Sequence, residues 1–396
     1  MDVTLSSYQR ALDALFARTT GKTRLGLERT RALLAAMGDP HRELRTLHVA
    51  GTNGKGSVCA TLEALLRGTG HRVGKYTSPH LVDFRERVTV DGRPVDESVI
   101  TDFVSRWSAE VDRLGASFFE ATTAMALHAF VQSKVDIAII EVGLGGRLDS
   151  TNVVEPLAAG VTSISIDHTE YLGTTVEEIA DEKAGIFKRG VPSIIGDADP
   201  SIRARLASRA RESGGEPVRL VSDECDPRDI ALIPSTGRDG GGAGTRFTIT
   251  LGGRAETFVT PLVGEHQANN AAVALLMLDA AGDPWRQAAE PDAARQALAN
   301  VRLPGRFQRF GRYIFDVAHN ADGAAVTANT LRHVRPRAPV VTLLCVLGDK
   351  DWRGMMSALA PVTTHFVVTR APSAPASREW DVDSALEFAR ASGWSV

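Results

Sequence analysis

A short glycine-rich segment constrains the fold of this chain more than any other feature. It consists of seven consecutive residues: Gly51, Thr52, Asn53, Gly54, Lys55, Gly56 and Ser57. The segment follows the β-like run 46–50 and precedes a helical pattern that begins near Val58. Glycines let backbone N–H groups curl around phosphate oxygens, and the N-terminus of the helix adds a positive dipole. The lysine can reach the outer phosphates, and the next hydroxyl can bind the Mg²⁺ that accompanies ATP. The segment therefore predicts a phosphate-binding β–loop–α unit.

The spacing of this segment departs from the common P-loop pattern. Gly56 stands where Ser or Thr is usual, so the hydroxyl arrives one residue later at Ser57. The first glycine of the common pattern would fall at position 49, which is Val49. A glycine-rich β–α turn that binds no ligand is the alternative interpretation of these residues alone.

The rest of the chain alternates β-like and helical segments. In the first part, the predicted strands are 46–50, 72–76, 135–142, 161–166 and 192–195. This alternation predicts an α/β fold with a mostly parallel sheet. A second α/β unit starts near Phe307, with predicted strands at 313–317, 340–347 and 366–369. Because 396 residues are enough for two domains, we place one domain at 1–302 and a smaller one at 303–396.

Composition excludes several classes of function. The formal net charge is -3, which argues against a general nucleic-acid or membrane-surface binder. The three cysteines are far apart and show no metal-ligand spacing, as expected for reduced thiols. No apolar run approaches the roughly 18 residues of a membrane span. The N-terminal residues do not resemble a signal peptide, so we expect a cytoplasmic protein.

Several further motifs carry a resemblance to a known family. They are, in chain order, 25–29 (LGLER), 76–81 (YTSPHL) with 86–88 (ERV), 141–152 (EVGLGGRLDSTN), 167–173 (DHTEYLG), 182–186 (EKAGI), 304–308 (PGRFQ), 316–320 (DVAHN) and 349–351 (DKD). Together with the phosphate loop, these motifs resemble folylpolyglutamate synthase and dihydrofolate synthase, a branch of the Mur ligase superfamily. The resemblance spans residues 25 to 351 and keeps the family's order.

The resemblance implies both a fold and a reaction. The expected fold is α/β and Mur-ligase-like, with a large P-loop ATPase-type domain and a smaller Rossmann-like C-terminal domain. The large domain would bind ATP and folate, and the small one would complete the glutamate-ligase site. The expected enzyme is an ADP-forming ligase that adds L-glutamate to dihydropteroate, to folylpolyglutamate or to both through an acyl phosphate. We expect small-molecule substrates, no nucleic acid or membrane partner, and a monomer.

The resemblance also assigns nucleotide contacts. Besides the phosphate loop, these are Asn270, Arg306, Asp316 and His319. Catalytic roles fall to Lys55, Lys183 and His319. Asn270 could instead only make a hydrogen bond at a helix start, and Lys350 in the later loop could be only a solvated charge.

Two Mg²⁺ ions are implied by the same resemblance, with ligands Ser57, Ser78, Glu141, His168 and Lys183. Glu141 ends an apolar predicted strand, where a buried carboxylate is costly unless it is paired or bound to metal. His168 follows another predicted strand, but Mg²⁺ prefers oxygen, so a hydrogen-bonded histidine is the alternative. Lys183 lies on the apolar face of a predicted helix with a capping box at Thr175 and Glu178. The resemblance implies its carbamylation, and a lysine paired with a carboxylate is the alternative.

The folate contacts implied by the resemblance form a separate set: Thr23, Arg24, Leu25, Gly26, Phe119, Glu120, Leu148, Asp149 and Ser150. Phe119 could stack on a flat pterin ring, or could simply pack in the core. Many relatives have Ala where this chain has Ser150, which leaves the preferred acid substrate open.

Two other functions remain as alternatives from sequence. One is a Mur-type ligase with a different acid acceptor, and the other is a non-catalytic nucleotide-binding module. The chain ends at Val396, earlier than is usual for the family, so we expect either a shortened form or an unusually small C-terminal domain.

Overall fold

A mixed eight-stranded sheet organises the larger part of the molecule in the computed structural model. The structure describes residues 5–19, 25–234, 242–372, 374 and 376–396. The strands of this sheet are β1 (Thr46–Ala50), β2 (Val73–Tyr76), β3 (Val88–Val90), β4 (Arg93–Pro94), β5 (Ile137–Glu141), β6 (Ala158–Val161), β7 (Ser193–Ile195) and β8 (Val218–Leu220). Their spatial order is β4-β3-β2-β5-β1-β6-β7-β8.

The centre of the sheet is parallel and its first edge is antiparallel. β1 pairs in parallel with β5 on one side and β6 on the other, whereas β3 runs antiparallel to β2 and to β4. In the β1–β5 register, Val49 lies opposite Glu141, so the end of β5 is adjacent to the start of the phosphate loop. Because the carboxyl ends of parallel strands meet at one edge, this edge is the expected ligand site.

Helices cover both faces of this sheet. The α-helices of this part are α1 (Ser7–Phe16), α2 (Glu28–Ala36), α3 (Lys55–Gly68), α4 (Glu97–Leu114), α5 (Phe118–Gln132), α6 (Thr169–Leu172), α7 (Val176–Ala184), α8 (Pro200–Ser213), α9 (Val221–Glu224), α10 (His266–Ala281) and α11 (Pro291–Leu298). Alternate residues of β5 point to opposite faces. Ile137 and Ile139 join the core beneath α3 and α10, and Ala138 and Ile140 join the core beneath α5. The central strands are thus buried on both sides, which explains their nearly continuous apolar sequence.

A small antiparallel sheet lies beside α10 and α11. It contains β9 (Arg228–Ile233), β10 (Gly244–Leu251) and β11 (Arg254–Thr260), with β10 in the middle. Phe247, Ile249 and Phe258 are buried and join the core of α3 and α10. This sheet is therefore an extension of the large unit.

The C-terminal part forms its own apolar core. Its elements are the hairpin β12 (Gln308–Phe310) and β13 (Tyr313–Phe315), the parallel pair β14 (Val341–Leu344) and β15 (His365–Val368), and the helices α12 (Ala321–Val334), α13 (Trp352–Leu359) and α14 (Val382–Ala391). Trp352, Phe366 and Trp380 belong to a buried cluster distinct from those of the large unit. The smaller α/β unit predicted from sequence is present.

One predicted strand is misplaced. Residues 161–166 were expected to form a strand, but β6 covers Ala158–Val161, and the following residues form an irregular segment. The hydroxyl groups of Thr162 and Ser163 donate instead to the backbone oxygen of Asn53 in the phosphate loop, at 2.6 and 3.1 Å. These side chains end the strand because they bind the neighbouring loop.

Among the described residues, no helix combines the length and apolar character required to cross a bilayer.

Candidate active site

The phosphate loop connects the fully buried strand β1 to the helix α3. Gly51 and Gly54 have φ values of 142° and 93°, a region that side-chain-bearing residues rarely adopt. A Cβ atom at Gly51 would lie 1.8 Å from Thr162 Oγ1, and one at Gly54 would lie 2.5 Å from Asn270 Oδ1. Both glycines are therefore required by backbone conformation and by close neighbours. α3 begins at Lys55, earlier than the sequence pattern predicted, so its N-terminus opens directly onto the loop.

Polar side chains hold this loop in position. The Thr52 N–H donates to the Ser163 carbonyl at 2.7 Å, and Thr52 Oγ1 donates to the Ser165 carbonyl at 3.1 Å. The segment after β6 therefore holds the loop through hydrogen bonds within the protein. Backbone N–H groups held in this way form a preorganised anion site.

Two lysines converge on one backbone oxygen of the loop. Lys55 Nζ and Lys183 Nζ each lie 2.9 Å from the carbonyl oxygen of Gly51, and Lys55 Nζ also contacts Thr52 O at 3.0 Å. Lys183 comes from α7, whose capping box at Thr175 and Glu178 is present as predicted. Burial lowers the pKa of both lysines, and for Lys183 the charge of Lys55 adds to the shift and brings the pKa to about 7. An appreciable fraction of Lys183 is therefore a neutral amine at physiological pH.

Glu141 lies at the end of β5, next to the two lysines. Its side chain accepts a hydrogen bond from the Ser78 N–H at 3.3 Å, and the residue is only 5% exposed. Burial raises the pKa of Glu141, although the positive charge of Lys55 opposes this shift. A nearly buried carboxylate with so few donors is suited to a cationic ligand.

His168 occupies a strained position on the same edge of the site. Its φ is 52°, it precedes the short helix α6, and it lies well beyond the end of β6 rather than directly after a strand. Burial lowers its pKa to about 4, against the attraction of the Asp167 carboxylate. Its imidazole is thus neutral at pH 7 and has a ring nitrogen available as an acceptor or ligand.

Asp167 connects the two units, a role that sequence reasoning missed. Its carboxylate lies 2.5 Å from Lys350 Nζ and 3.4 Å from His319 Nε2, and it accepts from Asn320 Nδ2 at 3.4 Å. Burial raises its pKa, but His319, His168 and Lys350 together outweigh burial and hold the pKa well below its ordinary value. Lys350 is therefore not a solvated charge, and that alternative was wrong. The only local signal was the position of Asp167 and Lys350 in loops near predicted strand ends.

The phosphate loop also contacts the C-terminal unit directly. Asn53 Nδ2 donates to Asp322 Oδ2 at 2.9 Å, and Asn320 Nδ2 donates to Asn53 Oδ1 at 3.2 Å. Asn320 caps the N-terminus of α12, where its side chain accepts from the Gly323 N–H. The N-terminus of a second helix therefore faces the phosphate loop, and it adds a second positive dipole to the site.

Two adjoining cavities lie along this edge of the sheet. The larger, of about 520 Å³, is lined by residues of both units, including Ser57, Asn270 and Asp316. The smaller, of about 100 Å³, contains the charged and ligand-type residues Lys55, Ser78, Glu141, Asp167, His168, Lys183 and His319. Asn53, Gly54 and Arg306 line both cavities. The larger cavity can hold the nucleoside part of a nucleotide. The phosphates of that nucleotide would extend over the phosphate loop towards the smaller cavity.

The predicted nucleotide residues take distinct positions around these cavities. Asn270 lies in the second turn of α10, donates to Gln267 Oε1 at 3.1 Å and presses against Gly54. Asp316 accepts from the Phe307 and Ala318 N–H groups at 2.8 Å each, so it shapes the loop that follows β13. Arg306 belongs to the connection between the units.

The predicted folate residues form a second group, near the loop that follows β5. The Phe119 ring lies against Gly143, where an added Cβ would be 2.2 Å from the ring, and 6.1 Å from the Tyr76 ring. Glu120 is buried, caps α5 and pairs with Arg29 at 2.9 Å. Phe119 therefore lies beside the loop that follows β5, and Glu120 is held at the start of α5 by its capping box and by Arg29.

The remaining members of this group hold two loops together. The Gly26 N–H, next to Leu25, donates to the Leu148 carbonyl at 3.2 Å. Asp149 accepts from the Leu144 N–H at 2.8 Å and from the Thr151 N–H at 3.0 Å, and Ser150 is buried beside it. The carboxylate of Asp149 is thus occupied by its own loop. Thr23 and Arg24 lie outside the described residues.

The donor set at the smaller cavity fits a magnesium ion that arrives with phosphates. Among the described residues, no three acidic, histidine or cysteine side chains converge into a metal site of their own. Mg²⁺ usually takes one or two carboxylates and fills its remaining positions with substrate phosphates and water. Glu141 and the hydroxyl of Ser78 provide such a partial set, and Ser57 lies on the adjoining wall.

Comparisons with known proteins agree with this geometry. The Mur ligase middle domain family matches residues 49–278. The Bacillus subtilis dihydrofolate synthase/folylpolyglutamate synthase is 33% identical over an alignment of 403 positions. This alignment covers 98% of this chain and 91% of that protein. Escherichia coli FolC in complex with DHPP and ADP has a TM-score of 0.82 at 33% identity, over 99% of this chain and 90% of that one. A bifunctional folylpolyglutamate synthase/dihydrofolate synthase with Mn, AMPPNP and L-glutamate bound has a TM-score of 0.78 at 33% identity, over 96% and 88%. A cleft with a preformed phosphate loop and likenesses along nearly the whole chain lead to one conclusion: the chain belongs to the folylpolyglutamate synthase/dihydrofolate synthase family of Mur ligases.

Proposed function

We propose that this chain joins L-glutamate to dihydropteroate, to folylpolyglutamate or to both, and converts ATP to ADP and phosphate. One observation carries the proposal: a nucleoside-sized cavity between the two units adjoins a small, highly charged cavity over the phosphate loop. A related protein binds DHPP and ADP, and another binds AMPPNP, Mn and L-glutamate. The two cavities provide places for these classes of ligand in this chain.

The chemistry explains why so many charged groups are needed. A carboxylate does not condense with an amine at neutral pH, so the acid oxygen first attacks the γ-phosphorus of ATP. This step forms an acyl phosphate and releases ADP. The amine of glutamate then attacks the acyl carbon, the phosphate leaves, and the nitrogen loses a proton to solvent. Bringing anionic reactants together requires fixed positive charges and exclusion of water.

Residues of the large unit neutralise the phosphates. Lys55 and the N-terminus of α3 would face the terminal phosphates, and the backbone N–H groups of 51–56 would surround them. Ser57, Ser78, Glu141 and His168 would hold the divalent ions, with Lys183 as a further ligand. The ions, when bound, supply Lewis-acid stabilisation of the transferred phosphoryl group.

Lys183 is suited to carbamylation. A neutral lysine amine can add CO₂ to form an N-carboxylate with release of one proton, and the lowered pKa of Lys183 favours the neutral amine. The product would turn a cation that crowds Lys55 into an anion that attracts a metal ion. Formation of the carbamate would thus relieve the repulsion between the two lysines.

The C-terminal unit completes the site from the opposite side. We assign Asp316 to the ribose region, Asn270 and Arg306 to the nucleotide, and His319 to the transferred phosphate. His319 Nε2 lies near Asp167, and His319 lines the smaller cavity. Asn270 lies on α10 of the large unit, whereas Arg306, Asp316 and His319 lie on the smaller unit, and this division would couple catalysis to closure of the cleft.

The acid substrate would enter beside Phe119 and the loops that carry Gly26 and Leu148. We place the boundary of the two domains at 302/303, since most apolar clusters lie wholly on one side of it. A monomeric state and a cytoplasmic location remain our predictions.

Product analysis tests the proposal directly. The protein is incubated with ATP, Mg²⁺ and L-glutamate, together with either dihydropteroate or a monoglutamyl folate, and the products are detected by mass. We expect a product heavier by one glutamyl residue and ADP in equal amount, only when all components are present. Absence of product with both acids would indicate a Mur-type ligase with another acceptor. Phosphate release without any acid would instead indicate a nucleotide-binding module.

A further inference from the structure

Arg87 is a buried cation beside the active site, and it lines neither of the two cavities described above. It ends the 3₁₀ turn Phe84–Arg87 and immediately precedes β3. Its carbonyl oxygen accepts from the Thr77 N–H at 3.0 Å. The next residue, Ser78, donates its N–H to Glu141. Arg87 therefore borders the same loop that supplies a contact to the Glu141 carboxylate.

Few of the donors of Arg87 have a protein acceptor. The residue is 8% exposed, and its Nε–H donates to His80 Nδ1 at 2.8 Å. Within the described ranges, no carboxylate forms an ion pair with it. Arg85, in the same turn, differs because it pairs with Asp83 at 2.7 Å. A buried guanidinium without an anionic partner is costly, so its presence calls for a ligand that supplies the charge.

Aromatic rings surround this guanidinium. Arg87 Cζ lies 5.2 Å from the centre of the Phe118 ring and 5.9 Å from that of Phe84. Phe118 also stacks on Phe16, with ring centres 5.2 Å apart. Ring faces stabilise a cation, but they leave the N–H groups in the plane of the guanidinium (the Arg87 fork) free to bind an anion. Flat rings around a cation suit an aromatic acid.

His80 fixes the orientation of the guanidinium. The Arg87 Nε–H donates to His80 Nδ1 at 2.8 Å, and this bond sets the direction of the other guanidinium N–H groups. Burial lowers the pKa of Arg87, while Tyr76 and Glu141 act in the opposite direction. A bound carboxylate would add to the stabilisation of the charged form.

The nucleotide phosphates are a less suitable partner than an acid. Lys55, Lys183, Arg306 and His319 already line the smaller cavity, whereas Arg87 lies outside that group. Given the function proposed above, we propose that the Arg87 fork binds the carboxylate of a pteroate-type aromatic acid before the acid is phosphorylated. Planar two-point contact would hold one carboxylate oxygen towards the nucleotide. Arg87 is thus a substrate-binding residue for the acid.

The ratio of the affinities for the acid and for its neutral amide tests this inference without a measurement of turnover. Binding of pteroic acid and of its neutral primary amide is measured by calorimetry at pH 7.5. The proteins are the wild type, Arg87→Met and the matched control Arg85→Met. We expect the wild type and Arg85→Met to bind the acid at least about tenfold more tightly than the amide. In Arg87→Met, we expect this ratio to fall below about twofold, while AMPPNP binding stays unchanged.

Each outcome separates the inference from the proposed function. A preference for the acid that survives in Arg87→Met would overturn the role of Arg87 and leave the ligase assignment intact. A wild-type protein that binds neither compound would overturn the proposed function itself. If Arg87→Met does not unfold cooperatively, Arg87→Gln is tested against the same ratio, because it keeps a donor for His80 and removes the charge.

Discussion

The phosphate loop and the contact between the two units hold their charged groups in opposite ways. Around the loop, Glu141 ends β5, while Lys55 and Lys183 lie on α3 and α7 of the same unit, and Glu141 and Lys183 are each only 5% exposed. Across the contact, Lys350, His319 and Asn320 meet the carboxylate of Asp167. Asn329 and His333 meet that of Glu265, and His319 keeps 47% of its side chain exposed. The first region is preorganised, whereas the second exists only while the units are closed.

This difference assigns different tasks to the two regions. Preorganised charges stabilise the transferred phosphoryl group without reorganisation, so their loss should reduce the chemical step itself. Contacts that form on closure should instead control how often the complete site exists. Substitutions in the two regions should therefore differ both in size and in the kinetic parameter that they change.

The largest effect is expected within the phosphate loop. Lys55→Ala should lower kcat about a thousand-fold, because it removes the cation that we assign to the transferred phosphate. Arg67→Ala, at the exposed C-terminal end of the same helix, is the control and should leave turnover unchanged. Steady-state kinetics measure both, with thermal unfolding to verify the fold. Near-normal turnover of Lys55→Ala would show that the loop is not the phosphate site.

An intermediate effect is expected at Lys183. Lys183→Ala should lower kcat about a hundred-fold, and added formate or acetate should restore part of it by replacing the carbamate. Because the pKa of Lys183 is lowered to about 7, the neutral amine is lost as pH falls through 7. Wild-type activity should therefore rise with pH around 7, and the rescued variant should lack this step. Full activity without added acid would remove Lys183 from the mechanism.

The smallest effect is expected at the contact between the units. Asp167→Asn should raise the KM for ATP about tenfold, since one charged contact contributes roughly 1.5–3 kcal/mol and closure is shared among several groups. Small-angle scattering should show a larger radius of gyration for this variant. Asp181→Asn is the control, because Asp181 pairs with Arg205 and Arg209 within the large unit. An unchanged KM in Asp167→Asn would mean that closure does not depend on this contact.

The pH dependence of the closed form tests the same Asp167 contact. The pKa of Asp167 is held well below its ordinary value of 3.8, so the carboxylate stabilises the closed form at every pH above that value. This stabilisation is lost only as pH falls through the lowered pKa. The radius of gyration of the wild type should consequently stay constant between about pH 5 and pH 8.

The family, the α/β fold and the ligase activity were predicted correctly from sequence. The phosphate loop was predictable because its strand, glycines, lysine and helix are consecutive. The segment after β6 was not, because Thr162 and Ser163 have β-like neighbours but bind Asn53 instead of extending the strand. Local sequence does not reveal a competing partner in another loop.

The pairing of Asp167 with Lys350 was even harder to predict from sequence than the segment after β6. The two residues are 183 positions apart, and neither stands in a pattern that specifies its partner. The same holds for Arg87, whose burial follows from the packing of Phe84 and Phe118 around it. Such contacts depend on how helices, strands and loops that are distant in sequence pack against each other.

The shared carboxylate of Asp167 has a consequence for how the cleft moves. An ammonium, an imidazole and an amide of the small unit all meet it, so withdrawal of that unit breaks the three contacts at once. Partial opening would strand an almost buried negative charge with little compensation. The molecule should therefore alternate between two discrete positions, shut and well apart, and pass quickly through any half-open geometry.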